Sequence, residues 1–238
     1  MTTGTAIGRG PVYRVRVAAA TAAAGLLDSD WDHPLWRQAA PIPIDHFHAR
    51  SSDHHPHAAA RLLYDQQALY LAFRVQDRFV RCVHTEYQGR VYADSCVEMM
   101  VWPKRQAGYF NFEVNCGGAL LLHYNELELS ADSLPPKITK TTPLPAELGR
   151  QVRIVATMPA VVEPEIIEPL SWQIRMRIPL AVLESRVGPL GALPGQRWRA
   201  NFYKCADETS HPHWASWAEI GPELNFHQPH QFGTIVFE

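Results

Sequence analysis

Hydrophobic and polar positions alternate along much of the chain, and this period of two predicts β-strands. In Tyr109–Asn115 (YFNFEVN) the phenylalanines and the valine face one side, and the asparagines and the glutamate face the other. Cys96–Trp102 (CVEMMVW) is apolar on both faces except at Glu98, which is typical of a central, covered strand. Further strands are predicted at Val12–Val17, Ala68–Val75, Ala119–Tyr124, Gln151–Met158, Ser171–Ile178, Arg197–Tyr203 and Phe232–Phe237.

About nine short strands bounded by turn residues predict an all-β fold, a single antiparallel β-sandwich of immunoglobulin or jelly-roll type. Only Pro179–Val187 has a helical pattern, with proline at the start, where a missing N–H costs little. The proline-rich stretch Leu134–Pro145 is predicted to be a long loop. Neither a linker nor an internal repeat divides the sequence, so we expect one domain over residues 1–238.

Composition and charge narrow the classes of partner. Hydrophobic residues make up 46% of the chain and charged residues 19%, which allows a substantial core. A net charge of −2 without a Lys/Arg cluster gives no electrostatic basis for nucleic-acid binding. Hydrophobic runs also fall short of the ~20 residues that span a bilayer.

The N-terminal region loosely imitates a signal peptide, because Ala18–Leu27 (AAATAAAGLL) follows Arg9, Arg14 and Arg16. However, Val12–Val17 alternates like a strand, and the alanine-rich stretch is only weakly hydrophobic. We therefore favour a cytoplasmic location over export.

Cysteine and histidine side chains are the candidates for metal or disulfide sites. Cys82, Cys96, Cys116 and Cys205 are widely spaced without a CxxC pair, which predicts free packing thiols. Histidines cluster in polar segments that could supply imidazole ligands to zinc or copper, but such segments lack a fixed geometry. We expect these histidines to be exposed and the protein to hold no metal or cofactor. They are His46, His48, His54, His55, His57, His211 and His213.

Catalytic motifs are missing from the sequence: it contains no GxSxG, Walker, HExxH or GxGxxG pattern. Asp94 and Glu98 could be imagined as a glycosidase pair. Four residues apart on an extended strand, they would lie ~13 Å from each other, which is too far for that chemistry. The sequence thus predicts a protein that is not an enzyme.

Glu98 is the most informative polar residue, because a buried carboxylate must be partnered or must line a cleft. If it lines a cleft, Tyr92 and the tryptophans of the C-terminal loop, Trp214 and Trp217, would give the cleft aromatic walls. Aromatic faces cover the C–H face of a sugar ring, while carboxylates and amides accept its hydroxyls. The alternative is a structural acid tied to arginine or backbone N–H groups.

Four groups of segments then carry a resemblance to a known family, over roughly Tyr13 to Phe237. In order, they are Asp30–Trp36 (DWDHPLW); Leu63–Asp65 with Ala68–Ala72; Tyr92–Glu98 (YADSCVE) with Tyr109–Asn115; and Trp198–Lys204 with Trp214–Trp217 and Phe226–Gly233. With these motifs in this order, the chain resembles the family 9 carbohydrate-binding module superfamily, in particular its carbohydrate-binding family 9-like members.

The resemblance implies a β-sandwich that binds a saccharide without catalysis, with two aromatic side chains stacked on a terminal sugar and an acid beside them. Tyr92 matches the first aromatic residue and Glu98 matches the acid. The chain departs from the family pattern in having Tyr at position 92, where the resemblance implies Trp in sugar-binding members. The second aromatic residue matches Trp214 or Trp217, and the sequence leaves both open. Further candidate hydroxyl partners are Asn115, Asn201, Tyr203 and Lys204.

Other functions also remain open at this stage. The wider superfamily includes haem-binding members, and Met99 or Met100 with Lys204 or a histidine would supply the corresponding axial ligands. A glycan-processing enzyme and a structural interaction module are further alternatives, because a sandwich fold does not specify function. The sequence leaves the oligomeric state undetermined.

Overall fold

The computed structural model describes residues 10–18, 25–105, 107–130 and 133–238. The centre of the alanine-rich stretch that imitates a signal peptide lies outside these residues. In the part of the chain that is described, no helix is long and apolar enough to cross a membrane.

The described residues form sixteen β-strands, three α-helices and two single 3₁₀ turns, at Val91–Ala93 and Pro229–Gln231. The strands are β1 Val12–Val17, β2 Ile42–Ile44, β3 His46–Phe47, β4 His57–Tyr64, β5 Ala68–Asp77, β6 Val80–Cys82, β7 Cys96–Trp102, β8 Tyr109–Asn115, β9 Leu120–Ser130, β10 Ser133–Pro143, β11 Arg153–Ala156, β12 Val162–Ile166, β13 Leu170–Pro179, β14 Arg197–Ala206, β15 His213–Ser216 and β16 Gly233–Phe237. The helices are α1 Pro34–Arg37, α2 Ala146–Gly149 and α3 Leu180–Val187.

Two sheet layers are joined through β1. The first layer has the order β10-β9-β8-β7-β14-β16-β1, and the second has the order β1-β4-β5-β13-β11. Residues Val12–Val15 pair with β16, whereas Arg16 and Val17 pair with β4, in both cases in parallel. Most other pairings are antiparallel, as hairpin-connected strands require.

The main hydrophobic core fills the space between the two layers. Met99, Phe112 and Phe202 from the first layer are fully buried in the same cluster as Phe73 and Ile174 from the second layer. Side chains alternate across a strand, so every second residue of β7, β8 and β14 points away from this core. The all-β sandwich predicted from the sequence is confirmed.

Several element predictions were wrong or incomplete. Leu134–Pro143 is not a loop but part of β10, which pairs with β9 through two register irregularities. Proline is tolerated there because β10 is the last strand in the order of its sheet, where a missing N–H breaks no second ladder. The predicted helix is present at Leu180–Val187, and α1 and α2 are single turns that were not predicted. The four cysteines are buried and free.

Candidate functional site

The outer face of the first layer carries polar groups where a covered sheet would ordinarily be apolar. Glu98 on β7 pairs with Glu113 on β8 and with Tyr203 on β14, so these three side chains form one row across the sheet. In the adjacent row, Cys96 pairs with Cys205. The alternation that directs Met99 and Phe112 to the core therefore directs two carboxyl groups to the opposite face.

A pocket of about 340 Å³ lies over this row. Its floor includes Glu98, Glu113 and Cys205, and its walls come from loops, from a 3₁₀ turn and from β15. The lining residues are Tyr92, Glu98, Met100, Glu113, Cys205, Asp207, Trp214, Leu224, Asn225, Phe226 and His227. The volume is within the range that suits a small organic ligand.

Asp207 contacts two of the three aromatic residues that the sequence proposed for one cleft, Tyr92 and Trp214. Its backbone N–H donates to the Tyr92 carbonyl at 3.1 Å, and its carboxylate Oδ1 accepts from Trp214 Nε1 at 2.7 Å. Tyr92 lies in the 3₁₀ turn before β7, and Trp214 lies on β15 opposite Cys205. The two rings thus belong to separate elements that Asp207 ties together at the pocket.

A third aromatic wall is built from the loop that precedes β16. Phe226 stacks on Tyr203 with ring centroids 4.1 Å apart, and the Tyr203 hydroxyl donates to the Phe226 carbonyl at 3.0 Å. The neighbouring His227 is fixed by its contact with Tyr109, with 2.6 Å between Nδ1 and the hydroxyl oxygen. Burial lowers the pKa of His227 to about 4, so the ring is neutral near pH 7.

The carboxyl groups on the floor are poorly solvated. Burial and then the adjacent Glu113 raise the pKa of Glu98 well above its ordinary value, and the donating partner found for Glu98 is the Cys205 thiol, at 3.2 Å from Oε1. Burial raises the pKa of Glu113 to about 7, against the opposing effect of Asn111, whose Nδ2 donates to Oε1 at 2.5 Å. Glu113 Oε2 is buried without a hydrogen-bond partner.

One group of side chains could in principle hold a metal ion. The ligand atoms of Cys96, Glu98 and Cys205 all lie within 4.8 Å of one another. Burial raises the pKa of Cys96 to about 12, and contact with Cys96 together with burial raises the pKa of Cys205. Because metal binding needs deprotonated ligands, protons compete strongly at this site.

Of the predicted site residues, Trp217 and Lys204 lie on the other side of the sheet. Trp217 is buried in the main core, 5.7 Å from the Phe202 ring between centroids. Lys204 is fully buried, and its Nζ donates to His213 Nε2 at 2.7 Å and lies 3.5 Å from Asp77 Oδ2. Lys204 therefore does not line the pocket, because its side chain points to the same side of β14 as Phe202 and to the opposite side from Tyr203.

Asn115, Asn201 and Tyr203 have structural partners. Asn201 Nδ2 donates to the Ala218 carbonyl at 2.9 Å, and its Oδ1 accepts from the Ala218 N–H at 2.8 Å. Asn115 donates to Asp94 at 2.8 Å and accepts from the backbone N–H of Ala119 at 2.9 Å. None of the three lines the pocket, although Tyr203 supports the ring of Phe226.

Asp94 likewise has a structural role. Its carboxylate accepts from the backbone N–H groups of Val83 and His84 at 3.1 and 3.0 Å, and from Asn115. This set of donors leaves it without the freedom that acid–base catalysis with Glu98 would require.

Several pocket residues were not identified from the sequence, most notably Glu113, Asp207, Phe226 and His227. The sequence places Glu113 on the polar face of a strand that the structure confirms. Its position opposite Glu98, however, depends on the register between β7 and β8. Register is set by tertiary packing, so alternation alone does not supply it. Asp207 and Phe226 lie outside the regular strands, where periodicity carries no signal.

Two histidines that were predicted to be exposed have buried partners, and the candidate haem ligands lie on opposite faces of the sheet. His54 Nε2 contacts Asp77 at 2.8 Å, and His213 is fully buried beside Lys204, so neither is an exposed loop residue as predicted. Met99 faces the core, as Lys204 does, whereas Met100 lines the pocket together with His227. A Met/Lys pair is therefore not available in the pocket, and the three carboxyl groups that line it do not suit an apolar macrocycle.

The structure is a β-sandwich domain with a pocket of aromatic and acidic side chains on the outer face of one sheet. The family described as Carbohydrate-binding family 9 matches residues 35–237, and the chain belongs to this family. Among curated proteins, none matches the sequence significantly.

Solved structures show the same fold. A protein from Bacteroides uniformis ATCC 8492, provisionally described as carbohydrate-binding, is 28% identical with a TM-score of 0.79, over 96% of this chain and 100% of that one. A family 9 carbohydrate-binding module from Caldicellulosiruptor kristjanssonii in complex with glucose is 14% identical with a TM-score of 0.60, over 96% of each chain. Its complex with cellotriose gives the same identity and TM-score, over 96% of this chain and 94% of that one.

Proposed function

We propose that this protein is a non-catalytic carbohydrate-binding domain, and that its saccharide lies between Tyr92 and Trp214 with Glu98 beneath it. The observation that carries the proposal is the pocket itself, in which aromatic side chains and buried acceptors line one cavity of small-ligand size. Membership of the family supports it, as do the glucose and cellotriose complexes of the Caldicellulosiruptor domain.

The chemistry of the pocket fits a pyranose ring. Tyr92, Trp214 and Phe226 offer apolar faces for the C–H groups of the ring. The donor to Glu98 is a thiol, that of Cys205, and Glu113 Oε2 has no donor, so sugar hydroxyls would relieve the cost of burying these acceptors. A small polar ligand of this kind binds weakly, roughly in the micromolar to millimolar range.

Hydrolysis of a glycosidic bond is less well supported, although Glu98 and Glu113 form an acid pair. A retaining glycosidase needs one carboxyl group ionised as the nucleophile and the other protonated as the acid. Here burial raises the pKa of Glu98 well above its ordinary value and that of Glu113 to about 7, and the residues that line the pocket include no lysine or arginine to favour the ionised form of either group. Binding therefore accounts better for the arrangement.

Calorimetric titration with glucose and cellotriose tests the proposal. We expect Trp214→Ala and Tyr92→Ala each to weaken binding by at least ~10-fold, because each removes a stacking face. Phe47→Ala is a matched control, since Phe47 is a partly buried aromatic residue that stacks on His55 outside the pocket. Equal affinities in all four proteins, or release of product from aryl glycosides that is lost in Glu98→Gln, would contradict the proposal.

A further inference from the structure

The pocket has an unbalanced set of charged groups. Glu98, Glu113 and Asp207 line it, and among its described lining residues there is no lysine or arginine. His227, the remaining titratable base in the lining, is held neutral by burial. A ligand that enters this pocket therefore meets three carboxyl groups and no fixed positive charge.

Two cationic side chains close to the pocket, Arg90 and Lys204, have partners outside it. Arg90 lies outside the pocket with its guanidinium carbon 5.8 Å from the Tyr92 ring centroid, and its Nη2 contacts Glu208 at 2.5 Å. Lys204 is buried on the opposite face of the sheet, where it contacts Asp77 and His213. Neither side chain supplies a donor to the floor of the pocket.

Glu113 is the clearest sign that a donor is missing. Its side chain is directed into the pocket while the residue is only 5% exposed, and its Oε2 has no hydrogen-bond partner. The single hydrogen bond to its Oε1 comes from Asn111, a neutral amide. An unsatisfied buried carboxyl oxygen is costly, and an ammonium group compensates it with both charge and donors.

The aromatic walls of the pocket also favour a cation, in addition to the carboxyl groups on its floor. Tyr92, Trp214 and Phe226 line the same pocket, and the faces of aromatic rings attract ammonium groups, most strongly when water is excluded. An aromatic enclosure with carboxyl groups beneath it is the arrangement that recognises amines. A ligand with both a pyranose ring and an ammonium group would use the walls and the floor together.

We propose that the preferred ligand is a cationic amino sugar, with its ammonium group against Glu98 and Glu113 and its ring against Trp214 and Tyr92. This inference rests on the proposed carbohydrate-binding function and specifies the class of saccharide. It assigns Glu113 the role of distinguishing an amine from a hydroxyl.

The test is calorimetric titration of the full chain near pH 7 with three monosaccharides that share one ring: glucosamine, glucose and N-acetylglucosamine. We expect glucosamine to bind ~10–100-fold more tightly than the two neutral sugars, as a charge-assisted buried hydrogen bond implies. The same order should hold for a glucosamine trimer against cellotriose. The preference should decrease as salt is added.

Glu113→Gln should reduce the ratio of glucosamine affinity to glucose affinity to within ~3-fold, because glutamine keeps the shape and one acceptor but cannot carry the charge. Glu128→Gln, at an exposed position on β9, is the matched control and should leave the preference intact. Circular dichroism of each variant establishes that it is folded.

Each alternative outcome has a distinct meaning. Equal or tighter binding of glucose overturns the amino-sugar inference and leaves the proposed function standing. Absence of binding to every saccharide overturns both. Tetramethylammonium binding as tightly as glucosamine would show that the pocket is a general cation site, which also overturns the inference.

Discussion

Replacement of Glu113 by glutamine should change how the stability of the protein depends on pH. Burial raises the pKa of Glu113 from 4.5 to about 7, so the folded state holds this proton more tightly than the unfolded chain does. Below pH 4.5 the group is protonated in both states, and its contribution to the free energy of unfolding is fully present. This contribution is lost as the pH rises from 4.5 through about 7.

The magnitude follows from the difference between the two pKa values. At about 1.4 kcal/mol for each tenfold change in proton affinity, a rise from 4.5 to about 7 corresponds to about 3 kcal/mol at high pH. Most of this, about 2–3 kcal/mol, develops between pH 5 and pH 8. Glutamine does not ionise and keeps an acceptor for Asn111, so the variant should lack this part of the pH dependence. The loss of repulsion with Glu98 acts in the same direction.

The assay is urea denaturation of wild type and variant at pH 5, 6, 7 and 8 without ligand. The free energy of unfolding of Glu113→Gln should rise relative to wild type by about 2–3 kcal/mol from pH 5 to pH 8. His213 and His227 are held neutral by burial and have the opposite pH dependence, but they are common to both proteins and cancel in the difference. The exposed Glu128→Gln variant should show no such rise. A difference that is constant from pH 5 to pH 8 would refute the reasoning.

Two further predictions concern the core-facing side of the sheet. Trp217→Ala should cost about 3–5 kcal/mol of stability by thermal or chemical denaturation, and should leave sugar affinity unchanged in the folded protein because Trp217 packs on Phe202. A large loss of affinity without a loss of stability would place Trp217 in the ligand site instead. Lys204→Met should cost about 3–5 kcal/mol, because it leaves the Asp77 carboxylate buried without its charged partner. Asp77→Asn in the same chain should recover part of that loss, and a double variant as unstable as the sum of the two single variants would contradict a direct pairing.

The strands were predictable where the pattern of hydrophobicity was strong. Cys96–Trp102 and Tyr109–Asn115 have the bounds that alternation and continuous burial indicated. β10 was missed because its prolines weaken the strand pattern, and only the pairing with β9 shows that this is an edge strand. Local pattern thus predicts an element well when that element lies in the middle of the sheet.

The pocket was predictable only in part, because it depends on which residues of different strands face each other. Tyr92, Glu98 and Trp214 line one cavity. The alternation of side chains along β14 places Lys204 and Tyr203 on opposite faces of the sheet, and this could be predicted from the sequence. The choice between Trp214 and Trp217 needed the start of β15 and its register against β14. Such long-range register is set by packing over the whole sandwich, which a single sequence does not display.

The position of β1 also bears on the order in which the fold can form. β1 is an early strand of the chain, but its partner β16 is made more than two hundred residues later, with Val12 opposite Thr234. During synthesis on the ribosome, β1 can therefore pair only through Arg16 and Val17, whose partners lie on β4, until β16 emerges. Contacts so distant in sequence slow folding, because a long loop must be closed before they form. The pairing of β1 with β16 thus forms late, and until then the Val12–Val15 edge of β1 is open to pairing with other nascent chains.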